Sequence, residues 1–160
     1  MIIIKNWLEE DLANFVENKL LYETPHFYGH KSTNDSKSFF YSTDLNTNES
    51  ITQFLMYKIQ KSLNKNLRFP IPYMNVQHPN MDGDFHRDDD GTKTNCNYTC
   101  LYMVTGEGDF EIKDEKRIKF EKNKLVVFDP SKLHKGHAPK KGIRITLAFK
   151  AKQIGEKDDK

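Results

Sequence analysis

From Leu67 onward the chain is a succession of short extended runs, "IPYMNVQ", "NYTCLYMVT", "DFEIK", "RIKFE", "KLVVFD" and "GIRITLAFK", separated by turn residues. A strand this short cannot bury its apolar face alone, so a regular series of them has to stack as a sandwich or close as a barrel. The last run constrains the interior most. Its period-two alternation places Ile143, Ile145, Leu147 and Phe149 on one face and Arg144, Thr146 and Ala148 on the other. A guanidinium facing the inside of a barrel is poorly compensated unless it meets an anion.

The preceding part, residues 1–66, reads differently. Leu8, Leu12, Phe15, Val16 and Leu20 recur at helical spacing, as do Ile51, Phe54, Leu55, Ile59 and Leu63 after the start "NTNES". Two amphipathic helices are expected, joined by "PHFYGHKSTNDSKSFFYSTDL", a polar and aromatic stretch without a clean period that reads as a long loop or irregular hairpin. Its aromatic residues are candidates for a substrate entrance. The expectation is one α+β, mainly β domain over residues 1–160. It has a helical part at 1–66, a strand core at 67–150 and a charged tail at 151–160.

Composition narrows the function. Lys and Arg (25) nearly balance Asp and Glu (23), and the signs are mixed along the chain, which gives no electrostatic case for nucleic acid or an acidic membrane. The opening "MIIIKNW" is too short for a leader or a membrane span, so a cytoplasmic location is expected. Cys96 and Cys100 are too few for a disulfide framework or a Cys-only zinc site and read as reduced strand residues.

The densest cluster of ionisable groups is "GDFHRDDDG", Gly83 to Gly91. "HRD" occurs in kinase catalytic loops, but Lys93 stands where their Asn is needed and no Gly-rich loop accompanies it. A calcium loop would begin on His86 and end on Asn97 instead of a bidentate Glu. A metal site fits better. In an extended segment His86 and Asp88 point to the same side while Arg87 points away, and His134, just after "KLVVFD", is the best-placed third ligand. Two histidines and a carboxylate on one face of a metal leave the opposite positions open, as in non-haem Fe(II) oxygenases. A dicarboxylate cosubstrate would supply the anion for Arg144, with the Thr146 hydroxyl adding a hydrogen bond.

The ordered set His86-x-Asp88, His134, Arg144 ten positions later and Thr146 resembles the Fe(II)/2-oxoglutarate-dependent dioxygenase superfamily, and within it the compact prolyl 4-hydroxylase-like group. The resemblance runs from about Tyr73 to Phe149, through "YMNVQ…GDFHRDD", "TCLYMVT" and "LHKG…GIRITLAF". It implies a double-stranded β-helix, or jelly-roll, core with N-terminal helices buttressing one sheet. It also implies Fe(II) on His86, Asp88 and His134, with 2-oxoglutarate and O2 as cosubstrates and ascorbate as an auxiliary reductant. The distal carboxylate of 2-oxoglutarate would meet Arg144. Asn75 and Gln77, which share a face with Tyr73, would be cosubstrate contacts as well. His137 lies too close to Arg144 for the family spacing and reads as a loop residue, as does His78. Asp89 and Asp90 read as solvated groups or as partners of the ligands.

The chain departs from the family in two places. It has "TGEGDFEIK" where many relatives carry a Gly-Gly-acidic-Thr motif, and Met103 where some relatives place a cosubstrate-binding Tyr. The activity implied is hydroxylation of a C–H bond in a peptidyl proline or another amino-acid substrate, with release of succinate and CO2. Two other readings compete: a non-catalytic jelly-roll module binding a metal or sugar, and an AlkB-type nucleic-acid dealkylase. Absence of succinate formation would support the first, and a basic nucleotide groove the second.

Overall fold

The computed structural model describes residues 1–89 and 95–155, so Asp90 of the acidic run lies outside the described residues. The strands are β1 (Ile2–Ile4), β2 (Phe27–His30), β3 (Phe40–Asp44), β4 (Leu67–Arg68), β5 (Pro72–Gln77), β6 (Tyr98–Thr105), β7 (Phe110–Ile112), β8 (Lys116–Ile118), β9 (Lys124–Phe128), β10 (His134–Gly136) and β11 (Arg144–Gln153). A major sheet runs β1-β9-β6-β11-β5-β3-β2, with β4 also paired to β11, and a minor sheet runs β10-β7-β8. The pairings are antiparallel. Two antiparallel sheets facing each other form a jelly-roll core, with the helices against the outer face of the major sheet.

Strand alternation divides the apolar residues into two cores. One side of the major sheet presents Met74, Val76, Tyr102, Leu125, Val127, Ile145, Leu147 and Phe149 to the helices. The other presents Leu101, Met103, Val126 and Ala148 to Phe110, Ile112 and Ile118 of the minor sheet. Helix α1 (Glu10–Asn18) runs into a π-helical turn (Lys19–Glu23), and α2 (Ser50–Leu63) lies beside them. Leu55 and Ile59 of α2 and Ala13 and Val16 of α1 are buried against the sheet. Trp7 ties the entry segment to α2 through Nε1–H to Ser62 Oγ at 2.9 Å, and its ring meets that of Tyr102 edge-on.

The structure differs from the sequence expectation in four places. Phe15 and Phe54 are exposed, because the stripe facing the sheet is narrower than the apolar periodicity and runs through Val16 and Leu55 instead. Ile2–Ile4 is a strand on the edge of the major sheet, paired with Leu125–Val127. The strand begun at Arg144 continues to Gln153, so Ala151 is buried and pairs with Tyr98 instead of opening a solvated tail. Cys100 is in β6, but Cys96 precedes it; both are free and buried.

Candidate metal centre

β10 carries one half of the site and the segment Asp84–Asp88 the other. His86 and His134 are backbone partners: His86 N donates to His134 O at 3.0 Å and His134 N to His86 O at 2.9 Å. This pairing sets the two imidazoles side by side, 4.4 Å between centroids. Asp88 follows two residues later, its N–H donating to Pro130 O at 3.0 Å. One ligand atom from each of His86, Asp88 and His134 lies within 4.8 Å of the others.

The tautomers suit a metal. His86 Nδ1 donates to Asp84 O at 3.0 Å and His134 Nδ1 donates to Lys132 O at 2.8 Å, because a carbonyl can only accept. In the neutral tautomer this leaves Nε2 as the lone pair, and each Nε2 faces the carboxylate, His86 Nε2 at 3.9 Å from Asp88 Oδ1 and His134 Nε2 at 3.5 Å from Oδ2. Burial, opposed by Asp88, lowers the His134 pKa to about 4, so its imidazole is neutral as a ligand requires. Burial favours protonation of Asp88, yet His134, Lys150, His86 and the Thr99 hydroxyl together hold its carboxyl below the ordinary range.

Both oxygens of Asp88 are held by groups the sequence did not single out. Thr99 Oγ1 donates to Oδ2 at 2.7 Å, while Tyr73 OH and Lys150 Nζ each approach Oδ1 at 3.4 Å. Alternation along β6 was the available signal for Thr99, which shares the inward face with Leu101 and Met103. Lys150 continues the inward alternation of Arg144, Thr146 and Ala148 along β11, a period-two signal that the sequence reading did not follow to its end.

Arg144 enters the same cleft from β11. It is 2% exposed, and burial lowers its pKa to about 10, with Asp109 acting in the opposite sense. Among the described residues no carboxylate lies within 4.0 Å of its guanidinium. Instead Nη1 donates to Gln77 Oε1 at 2.5 Å, Nε donates to Gly108 O at 3.1 Å, and the fork lies 5.5 Å above the Phe120 ring. Gly136 makes room for it, since a Cβ there would come within 3.1 Å of both terminal nitrogens.

The pairing of β11 with β5 sets Arg144 beside Gln77 and Thr146 beside Asn75. All four line one cleft with His86, Asp88 and His134. Gln77 is largely engaged, its Nε2 donating to Met81 O at 2.7 Å while its Oε1 accepts from Arg144. Among the described residues Asn75 Oδ1 is buried with no hydrogen-bond partner. A buried orphan acceptor and a buried cation without a carboxylate, in a cleft that holds three convergent ligand atoms, fit a bound metal and an anionic, hydrogen-bonding ligand.

The remaining candidates fall outside the centre. His137 pairs with Glu111 at 2.6 Å on the edge of the minor sheet, and His78 packs edge-on to Tyr41 at the end of β5. Asp89 is buried and accepts from Cys96 N at 2.6 Å, so it is a structural group rather than a solvated one. The aromatic stretch forms the β2–β3 hairpin with a bulge between Tyr28 and His30, and its rings divide between two faces. Phe40 lines the cleft, whereas Tyr28 and Tyr41 stack together and Tyr41 packs against the helix-side core.

No protein-family model and no curated protein matches the sequence. Solved structures do match. A viral collagen prolyl hydroxylase from Paramecium Bursaria Chlorella virus-1, in complex with 2-oxoglutarate, superposes with a TM-score of 0.71 over 96% of each chain at 15% identity. A prolyl-4-hydroxylase of Pseudomonas putida gives 0.69 at 11% identity, covering 96% of this chain and 92% of that one. HygX of Streptomyces hygroscopicus, with nickel and 2-oxoglutarate bound, gives 0.73 at 10% identity, covering 94% and 82%. At such identities the likeness establishes architecture: this chain has the jelly-roll fold of the 2-oxoglutarate-Fe(II) oxygenases, prolyl 4-hydroxylases among them.

Proposed function

We propose that this protein is an Fe(II)- and 2-oxoglutarate-dependent dioxygenase that hydroxylates a C–H bond of a peptidyl proline or another amino-acid substrate. One observation carries the reading: Arg144, buried and lacking a carboxylate partner among the described residues, shares a cleft with His86, Asp88 and His134. That pairs a candidate anion site with a two-histidine, one-carboxylate donor set. Bound Fe(II), with 2-oxoglutarate and O2, supplies the oxidising chemistry, and the cosubstrate leaves as succinate and CO2.

The chain's own groups bind, orient and exclude. His86, Asp88 and His134 hold the metal from one side and leave positions free on the other. Arg144 takes the distal carboxylate of the cosubstrate, kept in place by Gln77 and Gly108, and Thr146 and Asn75 offer the hydrogen bonds beside it. Phe110, Phe128 and Leu101 line the remaining wall and keep water from the reacting centre.

The test is succinate formation by protein incubated with Fe(II), ascorbate, 2-oxoglutarate and air, with and without a proline-rich peptide pool. Succinate that falls at least about a hundredfold in His134→Ala is the expected outcome, and stimulation by the peptides would identify a prolyl hydroxylase. No succinate, together with no metal-dependent binding of 2-oxoglutarate, would reject the oxygenase reading in favour of a non-catalytic jelly-roll module.

A further inference from the structure

The minor sheet has three strands and the major sheet eight, so the two do not cover each other. The cleft at His86 and Asp88 continues outward into a groove of about 740 Å³ bordered by His30, Ser42, Asp44, Tyr73, Asn75 and Lys150. A shallower depression extends it past Ser42 and Asp44 to Phe27 on β2, an edge strand whose four residues are all exposed. Successive strands lie about 4.8 Å apart, so the floor from β5 across β3 to β2 spans roughly 10 Å, the length of about three extended residues.

The charges along this floor differ in their partners. Lys150 meets the carboxylate of Asp88, whereas Arg87 and Lys31 keep their charge against neutral groups, Arg87 Nε donating to Ser131 O at 2.7 Å and Lys31 Nζ sitting over the Phe39 ring at 4.6 Å. Asp44 is the exposed carboxylate of the floor. It is the backbone partner of Tyr73 in the β3–β5 pairing and so faces the same side, and no Lys, Arg or His nitrogen among the described residues lies within 4.0 Å of its carboxylate. Among the described residues the groove therefore carries a carboxylate with no ion-pair partner, one strand away from the Tyr73 that touches Asp88 and electrostatically coupled to His30.

Building on the oxygenase reading, we propose that the substrate is an extended polypeptide lying across the open face of β3 and β2. Asp44 selects a Lys or Arg within about three residues of the hydroxylated position. Phe27, 64% exposed at the far wall, gives the chain an apolar contact where the groove ends.

The experiment uses the full chain loaded with Fe(II) and 2-oxoglutarate in air. Three libraries of random 12-residue peptides, enriched in Lys and Arg, in Asp and Glu, or in neutral residues, are compared by succinate formed above the peptide-free rate. Tandem mass spectrometry locates the added oxygen. The basic library is expected to stimulate roughly tenfold more than the acidic one. Asp44→Asn should remove most of that preference through KM, and Asp44→Lys should invert it, with hydroxylation mapping within three residues of the basic residue. A preference indifferent to residue 44, a wild-type preference for the acidic library, or stimulation by free lysine or arginine alone would overturn the proposal. If no library stimulates while peptide-free succinate continues, the polypeptide reading fails and the oxygenase stands. If neither succinate nor 2-oxoglutarate binding is found, both fall.

Discussion

Asp88 shows how much of a candidate metal site resides in residues other than its three donors. Its side chain is nearly inaccessible, and Thr99 fixes one oxygen while Tyr73 and Lys150 approach the other. A ligating carboxylate free to rotate would have to be ordered on binding, whereas this one is already oriented. Thr99→Val keeps the shape and removes the donor, and we expect it to weaken Co(II) affinity by about 10- to 100-fold, measured by titration of the visible d–d absorption. Thr99→Ser should restore affinity to within a few-fold. An equal loss in both variants would mean that Thr99 acts through packing and not through its hydroxyl.

The elements divide the labour between two faces of one sheet. Along β11, Ile145, Leu147 and Phe149 meet the helices while Arg144, Thr146 and Ala148 meet the site, so stability and chemistry are written on alternate residues. Ile59 of α2 is fully buried on the helix side. Ile59→Ala should cost about 2–5 kcal/mol in denaturant unfolding yet leave Co(II) affinity within a few-fold, because the cavity it opens lies behind the sheet. The same alternation made the site largely legible in the sequence: His86 with Asp88, and Arg144 with Thr146, are period-two pairs. What stayed hidden needed pairing across strands. The bulge between Tyr28 and His30 breaks the period of the β2–β3 hairpin, so the sequence left that stretch open between a long loop and an irregular hairpin, and β1 is a run of three isoleucines too short to carry a period. Lys150 reaches Asp88 from 62 residues away, a contact that only the register of β11 creates.

For the whole molecule, the site is a place where folding leaves electrostatic needs unmet. Among the described residues Arg144 is buried without a carboxylate within 4.0 Å, Asn75 Oδ1 is buried without a donor, and three candidate ligand groups converge beside them. Ligands that meet those needs bind the folded chain alone and should raise its stability. At 100 times the dissociation constant the gain is about 2.7 kcal/mol, seen as an upward shift in thermal midpoint with Co(II) and 2-oxoglutarate together. Arg144→Met should abolish the 2-oxoglutarate increment and leave the Co(II) increment in place. The β10 strand ties these needs to one another. His134 turns a nitrogen toward Asp88, and two residues on, Gly136 yields the space that the Arg144 guanidinium fills. Inserting or deleting a single residue between Leu133 and Gly136 would turn the strand's other face inward and put a side chain where none fits. The candidate metal seat and the candidate anion seat are thus two readings of one strand's phase, and a lineage that lost that phase would forfeit both in a single step.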